Sequence, residues 1–287
     1  MAVELWIDDG NPWYLSPDIW VVPSDDPGDP PGLPFANVSA YVWARVHNRG
    51  STAVSNATVR FYWADPSTVI TPTTATLIGT SSASLTAGET KEVLCVTPWI
   101  PSFVNNGHEC LIAQAFAPSD PAPPQGPNDP FNVPADRHLA QRNITVGAAM
   151  ARMARFVHPF RIGNPMRFRT GEVLVRARRA PVEILKPLLR NLGLRELPAE
   201  AEGFEEFALQ PYRCGQEIHE TGKPDLRIAV SPGHQEGLVL VARVPDRFKA
   251  GTAALVLIEQ IVEDKPLGGM AVLIVPAKED RTTVKKG

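Results

Sequence analysis

Between Val38 and His47 the chain repeats with a period of two, and this feature limits its fold more than any other. Val38, Ala40, Val42, Ala44 and Val46 fall on one side of the repeat; Ser39, Tyr41, Trp43, Arg45 and His47 fall on the other. Successive side chains of an extended strand point to opposite faces, so the pattern belongs to a strand with one face in a core. Asn48-Arg49-Gly50 should end it, with Asn and Gly supplying the positive φ of a tight reversal. A second strand follows, with Ala57, Val59, Phe61 and Trp63 alternating with Thr58, Arg60 and Tyr62 as far as Asp65-Pro66. Two half-buried strands of this kind need a second sheet over their apolar face.

The rest of the first half fits that demand. Ser16–Val22 reads as a short edge strand, Leu77-Ile78-Gly79 as a strand within loops, and Glu92–Thr97, Glu109–Phe116 and Arg137–Val146 as further strands. About seven short strands separated by turns predict a β-sandwich of immunoglobulin-like topology. Twenty-nine prolines suit short strands and rigid loops better than long helices. The run Pro23–Gly32 and residues 117–135 read as irregular loops. Asp25, Asp26 and Asp29 lack the ordered spacing of a calcium loop and read as a solvated turn.

Val46-His47-Asn48-Arg49-Gly50, then Ala57–Trp63, then Ala87-Gly88-Glu89, together resemble the CARDB domain, a bacterial immunoglobulin-like module. Ser16–Val21 and Asp136–Ile144 look like its first and last strands. The resemblance covers about residues 14–146. It implies a sandwich fold and a surface or adhesive setting, and it brings no catalytic residues.

The second half is not recognised, but its pattern also predicts strands, at Val173–Arg178, Phe204–Leu209, Leu226–Val230, Leu238–Val244, Ala253–Val262 and Met270–Val275. Leu185, Leu188, Leu189 and Leu192 sit at helical spacing, which predicts one inserted helix near 182–192, with Pro187 either in its first turn or breaking it. The expected architecture is all-β: two tandem antiparallel sandwiches over 1–146 and 156–277, a linker at 147–155 and a charged tail at 278–287.

Charge is divided between the halves. Residues 1–146 hold 14 acidic and 6 basic side chains, a net of −8, and the remaining 141 hold 17 and 22, a net of +5. Opposite signs offer a route to head-to-tail homo-oligomers. Arginines from Arg152 to Arg179, Arg176 and Arg178 among them, make a basic face suited to an acidic protein surface. An acidic whole chain without a recognition motif argues against nucleic acid.

The first residues carry neither a basic flank nor a long apolar run, so neither a secretory signal nor a membrane anchor is read there. The compartment stays open between the cytoplasm and export that reads no N-terminal signal. Cys95, Cys110 and Cys214 lack metal-like spacing; Cys95 and Cys110 read as buried thiols, with a bridge across the sandwich as the alternative.

No nucleophile, metalloprotease or phosphate-loop motif occurs, and no catalytic, cofactor or metal residue is assigned. Asp136 and His138 should share a strand face as a hydrogen-bonded pair. Cys110 after His108 enters Leu111-Ile112-Ala113 and reads as core. The expectation is a non-enzymatic structural or interaction protein using tandem sandwiches for protein–protein contact or self-assembly. Trp6, Trp13, Trp20, Tyr41 and Trp43, with Arg176 and Arg178, form the candidate contact surface. The alternatives are a glycan- or cell-surface-binding module and, more weakly, an accessory subunit of a hydrolase.

Overall fold

The computed structural model describes residues 2–65, 67–101, 110–149, 155–164, 168–194, 196–204, 206–213, 215, 217–219, 222–245 and 248–276. It is all-β. In the first half β1 (Leu5–Trp6), β2 (Ile19–Val22) and β6 (Thr90–Leu94) all pair antiparallel with β3 (Tyr41–Asn48). The facing sheet runs β5 (Ala75–Leu85), β4 (Val54–Ala64), β7 (Cys110–Phe116), β8 (Leu139–Arg142). Val42, Ala44 and Val46 of β3 meet Val59 and Phe61 of β4 and Leu111 and Ala113 of β7 in one buried cluster. Each fully buried aliphatic side chain there contributes about 1.5–3 kcal/mol.

The end of β3 differs from expectation. Neither Asn48 nor Gly50 has positive φ. Instead the buried Asn48 carboxamide accepts from the Gly50 N–H (3.1 Å) and donates to the carbonyls of Thr52 (2.8 Å) and Thr86 (2.9 Å). Gly50 is needed for closeness: a Cβ there would lie 2.2 Å from the Ala2 carbonyl oxygen.

The second half has a small sheet, β10 (Arg155–Gly163), β15 (Gln235–Arg243), β13 (Phe207–Pro211), over a larger one. The larger sheet runs β14 (Asp225–Val230), β11 (Gly171–Ala180), β16 (Thr252–Val262), β17 (Lys265–Pro276), β9 (Ile144–Ala149). A two-residue strand, β12 (Ala199–Glu200), lies parallel to the start of β16. Pro159 is tolerated in β10 because β10 is an edge. Phe160, Val175, Leu240, Val256 and Val272 are among the side chains buried between the sheets.

Three features depart from the pattern read in the sequence. The last strand of the first half divides at Asn143: β8 stays in the first sandwich, and β9 crosses to lie parallel with β17. The stretch expected as a linker therefore begins as strand through Ala149 and ends as strand at Arg155. The expected helix is a 3-10 segment, Val182–Leu188. Pro187 lacks the N–H that an α-helix would bond to residue 183, and its ring crowds that carbonyl. This segment lies on the outer face of the large sheet, where Val182, Leu185 and Leu188 pack with Tyr14, Leu15, Leu255, Leu257 and Leu273. Residues 150–154 and 278–287, His108 and Cys214 lie outside the described residues. Cys95 and Cys110 are buried free thiols in different clusters.

The seam between the sandwiches is closely fitted. Arg142 is buried and donates to the carbonyls of Ile19 (3.3 Å) and Asn191 (2.8 Å), and burial lowers its pKa to about 10. The Asn143 amide donates to the carbonyls of Ser67 (3.0 Å) and Gly269 (2.8 Å). Gln260, fully buried, accepts from the Thr68 hydroxyl and donates to the Gly163 carbonyl (2.6 Å). Two glycines make the approach: a Cβ on Gly268 would lie 1.3 Å from the Thr68 oxygen, and one on Gly269 would lie 2.2 Å from the Tyr14 ring. Ion pairs Arg190–Glu92 (3.3 Å) and Arg161–Asp65 (3.8 Å) also join the basic half to the acidic one.

Candidate contact surface

The outward face of β3 carries the aromatic residues singled out in the sequence. Pairing sets Trp20 of β2 and Leu94 of β6 on either side of Trp43. The two indoles stack with centroids 6.0 Å apart and planes 3° apart. The Trp43 Nε1–H donates to the Pro27 carbonyl (3.2 Å), which folds the 23–32 loop back onto this face. Arg45, and Arg190 from the second half, place guanidinium carbons 5.4 and 5.6 Å from the Trp20 ring. Trp20 is only 3% exposed, so its ring is enclosed at the seam.

Beside the stack, Asp18 is nearly buried and gathers several donors. It takes the Arg45 Nη1 at 3.0 Å, the His47 Nε2 at 2.7 Å and the Asp8 N–H at 2.9 Å. His47 Nδ1 lies 2.8 Å from the Thr90 hydroxyl. This hydroxyl–imidazole–carboxylate chain has the connectivity of a catalytic relay. It stands on the open face of a sheet, and Asp18 shares its charge with Arg45. Its effect is to tie β2, β3 and β6 together.

The other predicted residues are dispersed. Trp6 is half-buried under the Arg49 guanidinium (4.1 Å), and Trp13 packs edge-on to Tyr14 (5.5 Å) where two apolar clusters meet. Tyr41 is half-buried on the face that carries Trp43. Arg176 and Arg178 stand on β11 of the other sandwich, paired with Asp225 (3.2 Å) and Glu259 (3.3 Å). The hydrogen bond to Asp225 raises the Arg176 pKa. Arg169, Arg179 and Arg227 likewise each have a carboxylate partner, so this face is a ladder of mixed sign rather than a single-sign field.

Four exposed apolar residues of the first half lie near this face, among them Val38, which the two-residue repeat had put on the core side. Phe35, Val38, Val96 and Ile100 are 60%, 43%, 67% and 65% exposed. Main-chain bonds hold them close: Val38 N–H to Phe35 O (3.2 Å), Asn37 N–H to Pro101 O (2.8 Å), and a two-way Ala40–Trp99 pair. The β3–β6 register, continued by the Cys95 N–H to the Val42 carbonyl, sets Val96 beside Tyr41. Tyr41, Leu94 and these four residues therefore lie on adjoining main-chain segments of the first sandwich. Phe35 and Ile100 come from proline-bearing stretches without periodicity, while Val38 and Val96 were expected within strands and lie just outside β3 and β6.

Asp136 and His138 do form the expected pair. His138 Nδ1 lies 2.7 Å from Asp136, and Asp120 lies 3.3 Å from the other ring nitrogen. Asp120 also takes the Leu5 N–H and Arg137, which pins β1 to the 117–136 segment. Among the described residues no group of three His, Cys, Asp or Glu side chains is placed to hold a metal ion. No helix among them is long and apolar enough to cross a membrane.

No family model and no curated protein matches the sequence. Solved structures do show likeness. A CARDB domain from Pyrococcus furiosus is 16% identical with a TM-score of 0.28, covering 49% of this chain and 90% of that one. The collagen adhesin from S. aureus is 6% identical with a TM-score of 0.26, covering 90% and 92%. A tip adhesin from Pseudomonas aeruginosa is 12% identical with a TM-score of 0.26, covering 96% and 99%. A CARDB domain, the family that residues 14–146 resemble, is thus among the structures this chain is similar to.

Proposed function

We propose that the protein is a non-enzymatic interaction protein that self-associates through the apolar end of its first sandwich. The supporting observation is the grouping of Phe35, Val38, Val96 and Ile100 beside Tyr41 and Leu94. Contiguous apolar side chains left in water mark contact sites on soluble proteins more often than scattered ones do. The closely fitted seam supports the same reading, because a rigid body loses less freedom when it docks.

Light scattering after size exclusion tests it, at rising concentration and at low and high salt. Apolar association persists in high salt, whereas head-to-tail attraction between oppositely charged halves is screened. Association at both salts, lost in the combined variant Phe35→Ser, Val96→Ser, Ile100→Ser, is the expected result. A monomer up to about 1 mM at both salts removes the reading, since that concentration corresponds to only about 4 kcal/mol of binding.

A further inference from the structure

A separate cleft opens on the other sheet of the first sandwich. The proline-bearing segment 117–135 covers part of that sheet, with Phe131 and Val133 packed on Ile112 and Leu139. Where this cover parts from β4 and β7, a cleft of about 420 Å³ remains. Its floor is a cross-strand pair, Arg60 opposite Gln114. Gln114 is 7% exposed, and its carboxamide has no hydrogen-bond partner among the described residues. Its side chain lines the cleft, so its hydrogen-bonding groups are left for what enters there. The preceding residues on the same strand face, Cys110 and Ile112, are apolar. An amide at a position that packing alone would fill with leucine marks a binding group.

The walls are aromatic. Arg60 rests on the Phe116 ring at 4.9 Å, and Tyr62 and Phe131 lie 5.4 Å apart at 47°. Pro123 borders this cleft and two more, of about 360 and 310 Å³, so the depressions follow one another along the sandwich. Ring faces that accept C–H groups, beside neutral amides and a guanidinium that address hydroxyls, suit a saccharide. The carboxylates Asp9 and Asp136 border the further clefts, and the acidic first half repels anionic chains. The geometry points to a binding groove for a neutral oligosaccharide, with Gln114 as the hydroxyl-reading group and Phe116, Tyr62 and Phe131 as stacking surfaces. This goes beyond the contact reading, uses none of its residues, and stands or falls by a different measurement.

Isothermal titration of the full chain with cellohexaose, maltohexaose and chitohexaose tests it, with hexagalacturonate as the charged control. At least one neutral hexamer should bind with a Kd below about 1 mM, and the control should bind more weakly. Gln114→Leu should weaken that binding about tenfold or more. Its thermal midpoint should stay the same or rise, because the amide gives up no hydrogen bond to the described residues. Arg60→Ala, at an exposed position, should weaken binding about threefold and leave the fold intact. The proposal is overturned if no neutral hexamer binds below about 1 mM, or if the uronate binds more tightly. Unchanged binding by Gln114→Leu, or a lowered midpoint in that variant, also overturns it by making the amide a structural group.

Discussion

β3 and β16 each lie inside a sheet, flanked by other strands on both sides, and they bury their side chains in opposite ways. Along β3 buried and half-buried residues alternate from Tyr41 to Asn48. Along β16 every residue from Ala253 to Ile258 is buried. One face of β3 meets the facing sheet and the other is partly open. Both faces of β16 are covered, one by the small sheet and the other by the 3-10 segment with Tyr14 and Leu15. A strict period of two therefore signals one cover, and an unbroken apolar run signals two.

The widest separation between the strands should come from Leu257→Ala on the outer face of β16. It should cost about 2–5 kcal/mol in urea unfolding, as for any buried leucine. Tyr41→Ala on the outer face of β3 should cost less than about 1 kcal/mol, the range of surface positions. Similar losses at the two sites would end the distinction.

The second cover depends on the seam, and Gly268→Ala attacks it. The new methyl would fall 1.3 Å from the Thr68 oxygen, so the loop or the strand must move. A loss of about 3 kcal/mol is expected in thermal unfolding, at the upper end for overpacked sites. A neutral result would mean that the sandwiches adjust freely against each other.

A finer probe is alkaline pH. Burial, reinforced by the nearby Glu259 carboxylate, raises the Tyr14 pKa above its ordinary value of 10.0. The neutral phenol's contribution is complete below pH 10 and is lost as pH climbs towards the raised value. Tyr14→Phe should therefore be within about 1 kcal/mol of the parent at pH 7, and should lose stability less steeply above pH 10. Parallel declines would place Tyr14 in water, and the outer face of β16 with it.

This comparison also explains what the sequence made legible. β3, β4 and β7 were readable because each shows a two-residue repeat or a bounded apolar run. The strand at Ala253–Val262 was legible, but its demand for a second cover was not. That cover comes from Trp13-Tyr14-Leu15, far away in the chain and lacking any periodicity, and from leucines whose helical spacing Pro187 turned into a 3-10 segment. The division at Asn143 was hidden because Leu139–Val146 reads as one uninterrupted strand. Of the candidate contact residues, Trp43 and Tyr41 were placed by alternation. The grouping of Phe35, Val38, Val96 and Ile100 was not: alternation put Val38 on the core side, and their proximity arises from turns that pattern alone does not reveal. Gln114 was equally silent: one polar residue in an apolar strand acquires meaning only once its surroundings are known.

The change of sheet at Asn143 has a mechanical consequence. Only one residue separates β8 from β9, and β9 is laid parallel along β17 by a ladder running from Ile144 to Ala149. Tension that drew the two sandwiches apart would load that ladder in shear, with its bonds resisting together instead of opening one after another. The junction acts as a splice, and it leaves the molecule almost no slack through which to flex.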